Sequence, residues 1–139
     1  MRTWIERRRA CVAAGLLALL AGAGAAMAQD ALSGRYRPAD RLDDPSGELT
    51  VTAAADGWSA EFGGVPQQLL PLPGDAVAAL YPDVPADAGL GCAGTAQLVL
   101  CTVRPGTRVA LEGEAGFVSR TGYFAKLGDG SRFELVRLP

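Results

Sequence analysis

Four carboxylates stand within nine residues, Asp40, Asp43, Asp44 and Glu48, a density of oxygen donors that can ligate calcium. Their spacing departs from the EF-hand loop and Arg41 sits among them, so a solvated loop is expected and no metal is assigned. Acid pairs for glycoside hydrolysis can be drawn from Glu48, Glu61, Glu112, Glu114 and Glu134, in the two-carboxylate arrangement that reaction needs. Most of these fall on turns or outward strand positions, which makes a carboxylate-dependent hydrolase the least favoured reading. The sequence has no histidine, and this removes Ser-His and Cys-His nucleophilic catalysis, His-ligated zinc and a neutral-pH imidazole base. Lys126, the only lysine, lies near a turn beside Asp129 and reads as an exposed turn residue rather than the partner of a serine nucleophile. No catalytic residue and no cofactor is therefore assigned, and the expectation is a protein that is not an enzyme and acts by binding.

Cys92 and Cys101 are the pair with a chemical role. The first 28 residues fit a secretory signal peptide, with Arg2, Arg7, Arg8 and Arg9 ahead of an apolar run and Ala26-Met27-Ala28 as a small-residue cleavage site. The run from Val12 to Met27 is short for a span of ~20 residues, so no stable membrane span is expected after cleavage. Residues 29–139 then form the mature chain, a single all-β domain in the periplasm or outside the cell. In such an oxidising compartment Cys92 and Cys101 are expected to pair as a structural disulfide. Their spacing is not C-x-x-C, which argues against a redox role. Cleavage takes four arginines and Glu6 from 13 basic and 15 acidic residues, leaving 9 and 14 and a net charge of −5. An acidic domain of this kind is not expected to bind nucleic acid.

Short alternating apolar runs separated by Gly, Pro and Asp clusters predict a small antiparallel meander, barrel or sandwich, of seven to nine short strands with one short helix and one disulfide. Strands are expected over Leu32–Arg37, Glu48–Ala53, Trp58–Phe62, Val65–Leu72, Leu98–Val103, Thr107–Leu111, Phe117–Ala125 and Arg132–Leu138. Asp56-Gly57 and Gly128-Asp129-Gly130 supply hairpin turns. Asp75 is expected to cap a two-turn helix stopped by Pro82. Pro82 to Gly94 reads as one long connection. Ala96-Gln97 is poor turn chemistry, so Cys92 is expected to pin that connection to the strand carrying Cys101 rather than to face it across a ladder. Leu98 to Val103 is apolar on both faces, as in a strand covered on both sides. For the Phe117–Ala125 run two phases compete, and a bulge at Gly122 would reconcile them.

The candidate recognition residues are Ser119, Arg120, Tyr123 and Lys126, because arginine and tyrosine combine anchoring area with directional hydrogen bonds. The eight residues Ser119–Lys126 resemble, in composition though not in order or spacing, the Ser-Gly-x-x-Tyr loop of periplasmic C-type lysozyme inhibitors, which are also small disulfide-tied barrels. No residue role is transferred from them. The expected function is recognition of another envelope protein, as an inhibitor or accessory factor, through the loops at Asp40–Gly47 and Pro82–Gly94 and the Ser119–Lys126 strip. The alternative is a calycin-like carrier of a small apolar ligand, with some of the aromatic residues lining a barrel mouth. The opening Gly34-Arg35-Tyr36, the meander and the disulfide are compatible with it. Intact-mass analysis of the exported protein is predicted to place its N-terminus at Gln29; an uncleaved Met1 chain would show that residues 1–28 are not a removable signal.

Overall fold

The computed structural model describes residues 31–110 and 116–139; the proposed signal segment, Leu111, Glu112 and Glu114 lie outside them. Ten strands are formed there: β1 (Gly34–Pro38), β2 (Leu49–Ala54), β3 (Gly57–Phe62), β4 (Val65–Pro71), β5 (Gly91–Gly94), β6 (Leu98–Thr102), β7 (Thr107–Val109), β8 (Phe117–Ser119), β9 (Tyr123–Leu127) and β10 (Arg132–Arg137). Eight of them close an antiparallel barrel in the order β1-β10-β9-β6-β5-β4-β3-β2, and β7 and β8 stand apart as a hairpin. The expected meander is therefore a closed barrel and not a sandwich. The one α-helix among the described residues, α1 (Gly74–Leu80), lies between β4 and β5. Asp75 sits inside its first turn, favourable to the helix dipole, but Pro73 occupies the cap and no side chain bonds there. No helix among the described residues is long and apolar enough to cross a membrane.

Successive side chains of a strand point to opposite faces, and the chain uses this to build two cores. Inside the barrel lie Tyr36, Leu49, Val51, Trp58, Ala60, Leu69, Ala93, Leu98, Leu100, Ala125 and Leu135. Outside it, Cys92, Cys101, Val103 and Phe124 pack with Val77 and Tyr81 of the α1 region, Ala88 and Val109. Strands β6 and β9 feed both cores, as the apolar composition of β6 predicts.

The long connection expected at Pro82–Gly94 ends in a strand. Cys92 stands directly opposite Cys101 in the β5–β6 ladder, with Cα atoms 4.1 Å apart, so the bridge is a cross-strand one and the expected loop-to-strand tether is corrected. The reason is a hydroxyl. Thr95 Oγ1 accepts hydrogen bonds from the backbone N–H of Gln97 (3.1 Å) and Leu98 (3.3 Å), completing the tight turn that Ala96-Gln97 cannot make unaided. Gly94 is required beside it, since a Cβ there would run into the Leu98 carbonyl oxygen. The run Phe117–Ala125 is likewise not one strand. It breaks at Gly122, whose φ of 83° belongs to the left-handed region, and whose N–H donates to Ser119 Oγ at 3.2 Å. The competing phases are resolved by a turn that resets them.

Two strands turn the corners of the barrel. The first half of β10 pairs with β9 and its second half with β1. β4 pairs with β3 from Val65 to Leu69, but meets the four-residue β5 only at Leu70 and Pro71. Pro66 falls in the half of β4 that faces no β5 partner, where a missing N–H costs no ladder bond.

The disulfide closes a short loop within the outer core. Replacing both cysteines by alanine is predicted to lower unfolding free energy by roughly 2.5–3 kcal/mol on the loop-entropy relation, read by urea titration with β circular dichroism retained. An unchanged midpoint would mean that the bridge constrains nothing the ladder does not already hold.

Candidate functional site

Strand direction gives the barrel two unlike ends. The β1–β2, β3–β4, β5–β6 and β9–β10 connections leave one end, called here the mouth; the chain enters β1 and carries α1 and the β7–β8 hairpin at the other, the base. The base is plugged. The Tyr36 ring is fully buried, its hydroxyl donates to the Leu32 carbonyl at 2.7 Å, and the Tyr123 ring lies 5.2 Å away. Arg137 stands opposite Tyr36 on the inward phase of β10, although charge at a strand end ordinarily faces outward: it donates to the Tyr123 hydroxyl at 3.3 Å and to the Ser33 carbonyl, closing the plug.

The mouth is open. A cavity of about 420 Å³ enters it. Its wall consists of inward residues at the mouth ends of their strands: Pro38, Leu49, Phe62, Leu98, Leu127 and Phe133, with Ala125 and Leu135 one layer deeper. Arg41, Gln97 and Asp129 form a polar rim, and Gln67, opposite Ala60 on the inward phase of β4, adds a polar group to the wall. Below this layer Trp58, Leu69 and Leu100 fill the barrel, so the cavity is a cup rather than a through channel. Around the lip, Leu42, Phe62 and Val65 are 41%, 55% and 61% exposed. Apolar surface gathered about an apolar hollow is the usual mark of a binding site.

The acidic loop that suggested calcium serves to hold this lip. Glu48 accepts from Arg35 Nε (2.7 Å) and from Arg37 Nη2 (2.9 Å), and Arg37 Nη1 donates to the Leu42 carbonyl (2.7 Å). The hydrogen bonds from Arg35 and then Arg37 hold the Glu48 carboxyl below its ordinary range. Asp44 accepts from Ser46 Oγ (2.6 Å) and Ser46 N (2.9 Å), which lower its pKa in turn. No group of three or more potential ligands among the described residues is arranged to hold a metal. Arg41, from the same loop, lies over the Phe133 ring at 5.8 Å.

The four recognition candidates do not share one surface. Ser119 is fully buried and donates to Glu134 Oε1 at 3.3 Å, an oxygen that also accepts from Thr121 N (2.7 Å) and Thr121 Oγ1 (2.9 Å). Glu134 is thus a strut for the Ser119–Gly122 turn. Arg120 is exposed on that turn. Tyr123 packs against the barrel core, while Lys126 takes the opposite, outward phase of β9. The Asp40–Gly47 loop lies at the mouth and Pro82–Gly94 belongs to the base connection, so these do not converge either. The lip residues Phe62, Leu98, Leu127 and Phe133 were not singled out as a group. Alternation marks them as inward, but only the direction of each strand puts them at the same end.

No family model, curated protein or solved structure matches this chain. The fold and the cup define the class: a closed up-and-down β-barrel with one plugged and one open end.

The plug carries a pH signature. Burial pushes the Tyr36 phenol up to about 12 from 10.0, the Arg137 charge opposing and Tyr123 adding to the rise. Its contribution to stability is present below pH 10, where both folded and unfolded states keep the proton, and is lost as pH rises through the folded pKa. Unfolding free energy is predicted to fall by about 2–3 kcal/mol from this residue between pH 10 and 12. Tyr36→Phe should flatten part of that fall, leaving the share of Tyr81, whose phenol is also raised by burial. An identical pH profile in the mutant would place Tyr36 outside the plug.

Proposed function

We propose that this is an exported, non-catalytic binding protein that takes a small apolar ligand, or the apolar end of a larger one, into the mouth of its barrel. The observation that carries this reading is the cup of about 420 Å³ with apolar walls and a polar rim. Its size is that of a small-ligand pocket, and an eight-stranded barrel is just wide enough inside to hold one such molecule. A chain without histidine, in whose acidic loop Glu48 and Asp44 are engaged in lip contacts, supports binding over catalysis. The Cys92–Cys101 bridge supports export, because structural disulfides persist in oxidising compartments.

A second reading, recognition of an envelope protein, is favoured by the exposed Leu42, Phe62 and Val65 around the lip. In that case an apolar side chain of the partner fills the cup. The expected surfaces at Pro82–Gly94 and Ser119–Lys126 lend it less support, since they lie away from the mouth.

The two readings separate in titrations with a series of straight-chain alcohols, followed by the tryptophan fluorescence of Trp58 or by calorimetry. Burial of each methylene contributes about 0.8 kcal/mol, so affinity is predicted to rise roughly fourfold per carbon and then level off when the chain outgrows the cup. Phe62→Glu, at an exposed position that leaves the core intact, should weaken binding at least tenfold. A flat series in the wild-type protein, together with a single captured envelope protein that Phe62→Glu releases, would replace the ligand reading with the partner reading.

A further inference from the structure

We infer that the ligand of the mouth is a single-chain amphiphile with an anionic head, and that Arg41 selects its charge. The inference rests on the mouth as a small-ligand site and adds the chemistry of the ligand's polar end.

The shape of the cup fixes the direction of entry. Its inner end stops at Ala125 and Leu135, with Trp58, Leu69 and Leu100 packed in the core beyond, so an elongated molecule enters tail first and leaves its polar group at the rim. Three polar side chains stand there, Arg41, Gln97 and Asp129, with Gln67 one layer inside them, and what each already bonds decides which head is accepted. Asp129 is turned into its own loop, where Oδ1 accepts from Ser131 N at 2.8 Å. The amides of Gln67 and Gln97 can donate or accept and do not discriminate charge.

Arg41 differs from the other charged groups of the lip. Arg35 and Arg37 are held by Glu48, and Arg37 also by the Leu42 carbonyl. Lys126 has the outward phase of β9. The backbone of Arg41 is bonded within its turn, to Pro38 and Asp44, but its guanidinium makes no hydrogen bond among the described residues. Its carboxylate contact within 4 Å is Asp40, at 3.7 Å through Nε, with both side chains more than half exposed, a pairing of little strength. Its guanidinium lies over Phe133, a wall residue of the cup. It is thus a planar donor fork with unused N–H groups, placed where the head of a seated chain comes to rest, and such forks match carboxylate and phosphate.

The test compares dodecanoate, dodecyl phosphate, dodecanol and dodecyltrimethylammonium against wild type, Arg41→Gln and Arg41→Lys at low and high salt. The tail is constant, so differences report the head. In the wild type the anions are expected to bind about fivefold or more tighter than dodecanol, with the advantage shrinking in salt. Arg41→Gln should leave dodecanol unchanged and erase the anion advantage, and Arg41→Lys should restore only part of it. The tighter of the two anions separates a carboxylate from a phosphate source. Equal binding of anion and alcohol by wild type, a preference for the ammonium head, or an anion advantage that survives in Arg41→Gln would overturn the role of Arg41 while leaving the mouth as a binding site. Failure of all four compounds to bind wild type would remove the mouth reading itself.

Discussion

The pairing of β6 with β9 is the constraint on which the rest of the molecule depends. Five register pairs, from Leu98 with Leu127 to Thr102 with Tyr123, fix it, and both strands are apolar on both faces. Inward, Leu98, Leu100 and Ala125 belong to the barrel core; outward, Cys101 and Phe124 found a second core. A slip of one residue would exchange the two sets and leave both cores mismatched. Because β7 and β8 are inserted between these partners, the excursion has to fold back over the wall it left. Phe117 does so edge-on against Phe124 at 5.4 Å, and Tyr81 meets the same ring at 5.5 Å.

The wall so built is braced on one side and at one end only. Disulfide, helix and hairpin stiffen its outer face, and the tyrosine plug with Arg137 seals the base. The mouth has no comparable filling; its order comes from the Glu48 ion pairs and the short turns that hold the lip. Rigid strands that present apolar side chains at one end, with adaptable loops around them, are the arrangement in which a scaffold positions a binding surface without taking part in it.

Much of this was legible in the sequence. Period-2 alternation located β1, β2, β3 and β10, a two-sided apolar run marked β6 as a doubly covered strand, and the expected Asp56-Gly57 turn lies one residue earlier, at Ala55-Asp56, with Gly57 already paired to Ala54. What escaped was set by contacts between residues remote in sequence or by unfamiliar turn chemistry. The cysteines face each other because the Thr95 hydroxyl substitutes for a turn-forming residue. Tyr123 points inward because Gly122 resets the strand phase; the competing phases point to Gly122, but to a bulge within one strand rather than to the turn that separates two. Arg137 reads as an outward charge until the base is seen to need a cap for the Tyr123 hydroxyl. The cup itself was visible only as inward alternation; gathering Phe62, Leu98, Leu127 and Phe133 at one end required the order and direction of all eight strands.

The short β5 has a mechanical consequence. Because β4 meets it only at Leu70 and Pro71, the mouth-side stretch of β4 is held to the wall through β3 alone, whereas β2 stays paired to β1 through its mouth-side residues Leu49, Thr50 and Val51. Moving that edge of β4 outward widens the opening without rupturing a β4–β5 bond along that stretch, so the ladder opposes such a fluctuation less than it would in a fully zipped barrel. Pro66 removes one donor from the same edge, and with it one point where a foreign strand could attach. The barrel thus has one seam that is zipped over two residues only, and the open part of that seam falls beside the mouth.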